Sequence, residues 1–182
     1  KILDGSFTGQ VFQVGANAGE TISVGAIIDA NTAAIGSVDV AKSTIDVSSL
    51  TDFNTAIDAG GLTINGADIG AIDAASSTDH RAQQLISAIN AKYAETGVSA
   101  ELSADGTQIV LTGAGNIEIA GSTDDAAVAG WANDTIAAAT TSGISTLNVT
   151  TFGDAQTAIR QVDEALTQIN SARADLGAVQ NR

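Results

Sequence analysis

The chain has 182 residues and a mass of 18.1 kDa, and 44% of its residues are hydrophobic, which suffices for one ordinary domain or two small ones. Seven lysines and arginines against 21 aspartates and glutamates give a net charge of -14, which disfavours binding to nucleic-acid phosphates or anionic membrane surfaces. Cysteine is absent, and this excludes disulfides, thiolate zinc sites and cysteine nucleophiles.

The first third of the chain favours strands. Residues 10–14 and 21–24 both alternate polar and apolar side chains, and the glycine-containing segment 15–19 between them predicts a hairpin with a loop of about five residues. Weaker signals follow, namely a short turn at 32–36 and a strand near 43–47.

The middle of the chain carries two turn signals and one helix. Asn65-Gly66 lies between short apolar runs and predicts a type I′ turn, since both residues accept positive φ. A helix is predicted over 79–94, with Thr78 as its N-cap and Gly97 at its end. Its apolar face consists of Ala82, Leu85, Ile86, Ile89 and Tyr93.

Three further strands follow that helix. Residues 98–102 and 108–111 surround Asp105-Gly106, a second hairpin signal, and residues 116–120 predict another strand. Strands on both sides of one helix indicate an α+β layer arrangement.

The last region predicts one long helix. Thr151 and Asp154 have the spacing of a capping box, with Asp in place of Glu. The apolar residues that follow recur at heptad spacing, interrupted only by Arg173. We call the set the seam: Ile159, Val162, Leu166, Ile169 and Leu176. A seam of this kind needs a partner helix, and we expect that helix upstream of Lys1, with both ends of the chain cut.

Both ends of the sequence carry recognisable segments, 1–7 and 12–22 at the front and 155–159, 165–170 and 173–182 at the back. These segments resemble bacterial flagellin. Those at the front match the stretch that follows the N-terminal helices of flagellins, and those at the back look like the start of the C-terminal core helix. The middle, from Gly61 to Thr112, is similar to the ββαββ module inserted in many flagellins and hook-associated proteins.

The resemblance implies an α+β, flagellin-like fold with three parts. Residues 1–44 would form an inner-domain β-hairpin segment, residues 45–143 a variable outer domain, and residues 144–182 the inner-domain C-terminal helix. Residues 1–150 carry a net charge of -13 and residues 151–182 a net charge of -1. This difference fits two regions that interact differently with solvent, one strongly charged and one nearly neutral.

By the same resemblance, the chain is part of a structural subunit of the flagellar filament, extracellular and self-assembling for swimming motility. Its partners would be other flagellin subunits and, for the full-length parent, an export chaperone, the filament cap and a host innate immune receptor. Charged residues on the last helix are candidate subunit contacts: Arg160, Asp163, Arg173, Asp175 and Arg182. Without its partner helix, we expect the segment 151–182 to fray.

The alternative is a flagellin-like adhesin that binds glycan or polysaccharide through its outer domain. An enzyme is not expected, because no set of side chains with catalytic, cofactor-binding or metal-binding spacing is present. His80 is interpreted as an ordinary surface residue, and Trp131 as a core or inter-domain anchor. The acidic residues Asp124, Asp125 and Asp134 miss the calcium-loop spacing.

Overall fold

A computed structural model describes residues 4, 6–7, 9–14, 16–25 and 28–180. The chain divides into two compact units. Unit 1 comprises residues 1–38 and 141–182, and unit 2 comprises residues 39–140. Unit 2 is therefore inserted in unit 1 along the chain.

A two-stranded hairpin lies near the start of unit 1. Strand β1 (Gln10–Gln13) pairs antiparallel with β2 (Thr21–Val24), and Gln10 lies opposite Val24. The amide of Val14 donates to the carbonyl oxygen of Glu20 at 2.9 Å and closes the loop. The predicted hairpin is confirmed.

Unit 2 contains two four-stranded antiparallel sheets and one main helix. The elements are β3 (Asp39–Asp46), β4 (Thr63–Ile64), β5 (Ala67–Asp68), α1 (Thr78–Ala91), α2 (Tyr93–Thr96), β6 (Val98–Leu102), β7 (Gln108–Gly113), β8 (Ile117–Ala120), α3 (Ala126–Ala129), β9 (Asp134–Ile136) and β10 (Ala139–Thr140). The first sheet has the order β10-β3-β7-β6 and the second the order β5-β4-β8-β9.

Both predicted turns of unit 2 are confirmed. Ile64 pairs with Ala67 across Asn65 and Gly66, whose φ values are 50° and 78°. Positive φ at both central residues defines the type I′ turn. The second hairpin joins β6 to β7, and the amide of Gly106 donates to the carbonyl oxygen of Ser103 at 2.8 Å.

The position of the predicted helix is confirmed, but the prediction of its N-cap residue was wrong. Ser77, with extended backbone, caps α1 by accepting a hydrogen bond from the amide of His80 on its Oγ at 3.2 Å, so Thr78 is the first helical residue. The helix also ends at Ala91, and residues 93–96 form the separate short α2. Gly97, with φ of 67°, ends α2 as expected.

One hydrophobic core fills unit 2. Leu85 and Ile89 of α1 are fully buried with Val98 of β6 and Leu111 of β7. Trp131 belongs to the same core, and its indole N–H donates to Ser43 Oγ at 3.1 Å. The interpretation of Trp131 as a core anchor is confirmed, and its indole nitrogen has the partner that a buried tryptophan needs.

The chain crosses between the units at two adjacent places. The amide of Thr141 donates to the carbonyl oxygen of Val38 at 2.8 Å, and Ala139 pairs with Val40 between β10 and β3. These crossings lie at 38/39 and 140/141, whereas the sequence predicted boundaries at 44/45 and 143/144. Residues 41–46 pair with β7, which explains why the whole of β3 groups with unit 2.

Candidate packing surface on the C-terminal helix

A single helix of 29 residues, α4 (Phe152–Gln180), forms the last part of unit 1. Thr151 Oγ1 accepts a hydrogen bond from the amide of Asp154 at 3.1 Å, which is the predicted cap. The carboxylate of Asp154 accepts from Asn148 Nδ2 at 2.8 Å. An acidic group in the first turn also interacts favourably with the helix dipole.

The residues of α4 that pack within unit 1 have small or polar side chains. Ala158, Gln161 and Ala165 are buried, at spacings of three and four residues. Gln161 Nε2 donates to the carbonyl oxygen of Gly143 at 2.7 Å and to Thr141 Oγ1 at 3.2 Å. These contacts hold the helix against the segment that leaves unit 2.

A second glutamine holds the segment that enters unit 2. Gln168 Oε1 accepts a hydrogen bond from the amide of Gly36 at 3.1 Å. Gly36 has a φ of 75°, and a Cβ at this position would overlap the carbonyl oxygen of Gln161. The backbone of residue 36 can approach α4 this closely only because the residue is glycine.

The seam lies on a different side of α4 and remains exposed. The exposed fractions are 57% for Ile159, 42% for Val162, 54% for Leu166, 41% for Ile169 and 37% for Leu176. Phe152, seven residues before Ile159, is 53% exposed and extends the row by one heptad. Large apolar side chains in a continuous exposed row mark a surface for another helix.

Heptad spacing in the sequence identifies the seam but not the residues that fix its orientation. Phe152 carries the heptad signal and could have been included. The glutamines could not have been singled out, because Gln161 and Gln168 are ordinary polar helix residues until the loops that they contact are known.

Four of the five candidate subunit contacts lie on the same helix. Asp163, Arg173 and Asp175 are exposed, and Arg160 is half-buried. Arg182 lies outside the described residues. A contact between subunits through any of them stays a prediction.

The other polar residues considered in the sequence make local hydrogen bonds or lie at the surface. Asp125 caps α3 by accepting from the amide of Ala127 at 2.8 Å, and Asp124 accepts from the amide of Asn133 at 2.7 Å. His80 is exposed. Over the described ranges, no three His, Asp or Glu side chains cluster as metal ligands would.

One basic residue of unit 2 is buried. Arg81 is fully buried, and its Nη2 donates to the carbonyl oxygens of Phe53 and Thr55. Burial lowers the pKa of the Arg81 guanidinium, and the charge of Asp52 partly opposes this. Arg81 is therefore unavailable to a surface patch for polyanionic glycans.

Within the part of the chain that the structure describes, no helix is long and apolar enough to cross a membrane.

Comparison with known proteins identifies the relatives of this chain. It is 31% identical to Flagellin C of Vibrio cholerae, in both the O395 and the N16961 strain, over 188 aligned residues that include the whole chain. The chain is similar to flagellin. It spans about half the length of these relatives, 48% of each.

The middle of the chain also matches a family model. Residues 61–115 match the flagellin hook IN motif, which covers β4 to β7 with α1 between them. The resemblance to flagellin, the inserted module and the α+β class are thus confirmed. A solved structure of FliC from Burkholderia pseudomallei is 23% identical over 99% of this chain and 73% of its own, with a TM-score of 0.43, too low to establish a common arrangement. None of these relatives supports the adhesin alternative.

Proposed function

We propose that this chain is part of a structural subunit of the bacterial flagellar filament, extracellular and without enzyme activity. The observation that carries the proposal is the exposed seam of α4 in a chain that is similar to flagellin along its whole length. A structural subunit assembles by burying such surfaces, and flagellins are structural proteins.

The seam supplies the free energy for packing. Fully burying a large aliphatic side chain is worth about 1.5 to 3 kcal/mol. The five seam residues and Phe152 are each about half exposed, so a partner helix would gain on the order of 5 kcal/mol from the remainder. In the subunit, that partner is a helix from the part of the polypeptide beyond the present chain.

Charged residues at the C-terminal end of the chain supply contacts between subunits. Arg160, Asp163, Arg173, Asp175 and Arg182 are the residues proposed for this role. One exposed ion pair is worth only about 0 to 1 kcal/mol, but a filament repeats the contact at every subunit. Head-to-tail contacts of this type generate an open helical polymer.

Unit 2 supplies the outward surface. It has three basic residues against 14 acidic residues, a net charge of -11, and one of the three, Arg81, is buried. An acidic surface stays hydrated and resists association between neighbouring filaments.

Further partners are proposed for the longer polypeptide. They are other flagellin subunits, an export chaperone and the filament cap, and a host innate immune receptor. We expect weak or no receptor activation from the present chain alone, since the surface recognised in the family rests largely on helices upstream of it.

A chimaera tests the proposal. The matched segment of Vibrio cholerae Flagellin C is replaced by this chain, and filaments are sought by electron microscopy. We expect filaments from the chimaera and none from its Leu166→Glu variant. Leu102→Glu is the control, because Leu102 is also partly exposed but lies in unit 2. A chimaera that stays monomeric although folded contradicts the proposal, and binding of that chimaera to a glycan array would favour the adhesin.

A further inference from the structure

The turn between β4 and β5 carries a chemically labile pair of residues. Asn65 and Gly66 are both exposed there, and this is the only place in the sequence where glycine follows asparagine. Asparagine is a labile residue because the backbone nitrogen of the next residue can attack its side-chain carbonyl carbon. Glycine has no side chain to hinder this attack, so an asparagine followed by glycine is the most reactive case.

In the folded chain, hydrogen bonds hold both ends of the Asn65 carboxamide. Its Nδ2 donates to the carbonyl oxygen of Thr96 at 2.8 Å, and its Oδ1 accepts from the amide of Glu118 at 2.8 Å. Thr96 is the last residue of α2 and Glu118 lies in β8, so two other elements of unit 2 hold this one side chain. The carboxamide cannot turn towards the nitrogen of Gly66 without losing both hydrogen bonds.

We propose that Asn65 is a deamidation site that the folding of unit 2 protects and its unfolding opens. Once the two hydrogen bonds are lost, the nitrogen of Gly66 attacks Cγ of Asn65 and forms a new N–C bond. The side-chain nitrogen leaves as ammonia, which takes up the proton that the Gly66 amide gives up. Water then opens the resulting succinimide at either carbonyl and leaves aspartate or isoaspartate at residue 65. This reaction is independent of the proposed role in the filament.

Neither product restores the contacts of the turn. An aspartate has no N–H group for the carbonyl oxygen of Thr96, and it places a negative charge where Nδ2 lay at 2.8 Å from that oxygen. An isoaspartate lengthens the main chain within a two-residue turn, between the paired residues Ile64 and Ala67. An unfolding event during which residue 65 reacts is therefore not reversed when the chain refolds.

Mass spectrometry of the tryptic peptide 43–81 tests the protection. The same peptide contains Asn54, an exposed asparagine followed by threonine, whose branched side chain hinders the attack. The chain is incubated at mildly alkaline pH in increasing concentrations of guanidinium chloride. Fluorescence of Trp131, the single tryptophan and part of the core of unit 2, gives the unfolded fraction at each concentration.

The rate of deamidation at each asparagine decides the outcome. We expect Asn65 to deamidate at least tenfold more slowly in the folded chain than in the unfolded chain, at a rate that follows the unfolded fraction. Asn54 should stay slow in both states. Equal rates for Asn65 in the folded and unfolded chain overturn the protection. A rate for Asn65 in the unfolded chain that is no higher than that of Asn54 overturns the site itself.

Two aspartate variants test the consequence for unit 2. Asn65→Asp imitates one product, and Asn54→Asp is the matched control, because it adds the same charge at an exposed position. We expect Asn65→Asp to unfold at a lower denaturant concentration than the original chain, and Asn54→Asp to unfold with it, both followed by the fluorescence of Trp131. Equal midpoints for the two variants overturn the claim that deamidation at residue 65 destabilises unit 2.

Discussion

The side-chain amide of Gln161 donates a hydrogen bond of 2.7 Å to the carbonyl oxygen of Gly143, and both residues are buried. Through this contact a polar side chain, rather than an apolar one, holds the long helix to the segment that leaves unit 2. The helix can therefore keep its large apolar residues on the outside.

Replacement of Gln161 by alanine should destabilise unit 1. The change removes the hydrogen bonds from Gln161 to the carbonyl oxygen of Gly143 and to Thr141 Oγ1, while Thr146 Oγ1 still donates to Gly143 at 3.2 Å. We expect a loss of about 1 to 2 kcal/mol in the free energy of unfolding. Thermal unfolding followed by circular dichroism measures the effect. Asn170→Ala, on the exposed side of α4, should change the midpoint little; equal midpoints for the two variants would contradict this role of Gln161.

Gly36→Ala should be more damaging than Gly60→Ala. Both glycines have φ near 75°, so both variants carry the cost of a positive φ, about 1 kcal/mol or more. Only at residue 36 would the new methyl group overlap α4, whereas nothing lies within 4 Å of a Cβ at residue 60. Urea denaturation of the two variants compares the costs. Similar stabilities would mean that the approach of residue 36 to α4 is looser than described.

Replacing Arg81 by alanine should cost more stability than replacing it by methionine. Arg81→Ala leaves a cavity and removes the hydrogen bonds to Phe53 and Thr55, so we expect a loss of about 3 kcal/mol or more. Arg81→Met fills most of the volume and removes a buried charge, and its cost should be clearly smaller. Denaturant unfolding of the two variant chains compares their free energies of unfolding. A methionine variant as unstable as the alanine variant would show that the hydrogen bonds to the two carbonyl oxygens dominate.

Lowering the pH should weaken the turn between β6 and β7. Hydrogen bonds, first that from Ser103 Oγ–H and then that from the amide of Thr107, lower the pKa of Asp105. Because the folded pKa is depressed, the stabilisation is present above the ordinary value near pH 4 and is lost as the pH falls through the folded pKa. Ser103→Ala should raise the pKa of Asp105 towards that ordinary value in a carbon-13 NMR titration.

Asp68 is the control for this titration. The backbone amides of Gly60 and Gly70 lower the pKa of Asp68, and they are unaffected by a change at Ser103. A shift of both aspartates in the Ser103→Ala variant would indicate a general rearrangement instead of a lost hydrogen bond.

Hydrogen exchange should divide α4 into two halves in the monomer. Amides from about residue 155 to 168 should be protected, since the Thr151 cap and the two glutamines hold this half. Residues 173–178 are all exposed and should exchange quickly. The contacts of the first half of α4 thus narrow the fraying that the sequence predicted for the whole of residues 151–182 to the last part of the helix. The measurement is made at a concentration at which sedimentation shows a monomer, and strong protection over the whole of residues 159–176 would contradict the prediction.

Local patterns in the sequence predicted the local structure well. Asn65-Gly66 fixes its own turn, because few other pairs adopt positive φ twice, and the heptad residues from Ile159 to Leu176 predict a helix with one apolar side. Pairing between strands that are distant in sequence could not be predicted from local patterns. Strands β9 and β10 are two or three residues long and were missed, since their pairing with β8 and β3 depends on residues distant in sequence.

The candidate site was predictable only in part. Heptad spacing identified the seam, but it does not say whether the chain itself covers those residues. That depends on Gly36 and Gln161, whose roles appear only when the loops and the helix are brought together. Arg81 is a further example: charged residues are rarely buried, yet this one is, because the backbone carbonyl oxygens of residues 53 and 55 accept its hydrogen bonds.

The two crossings between the units are joined side by side, through Val38 with Thr141 and Val40 with Ala139. A segment whose ends are hydrogen-bonded neighbours can be lengthened, shortened or exchanged without moving the chain on either side. Closing a longer loop costs little, roughly 0.6 kcal/mol for each doubling of its length. Residues 39–140 thus form a cassette, and the surface that such a protein presents can diversify while the helix that follows keeps its geometry.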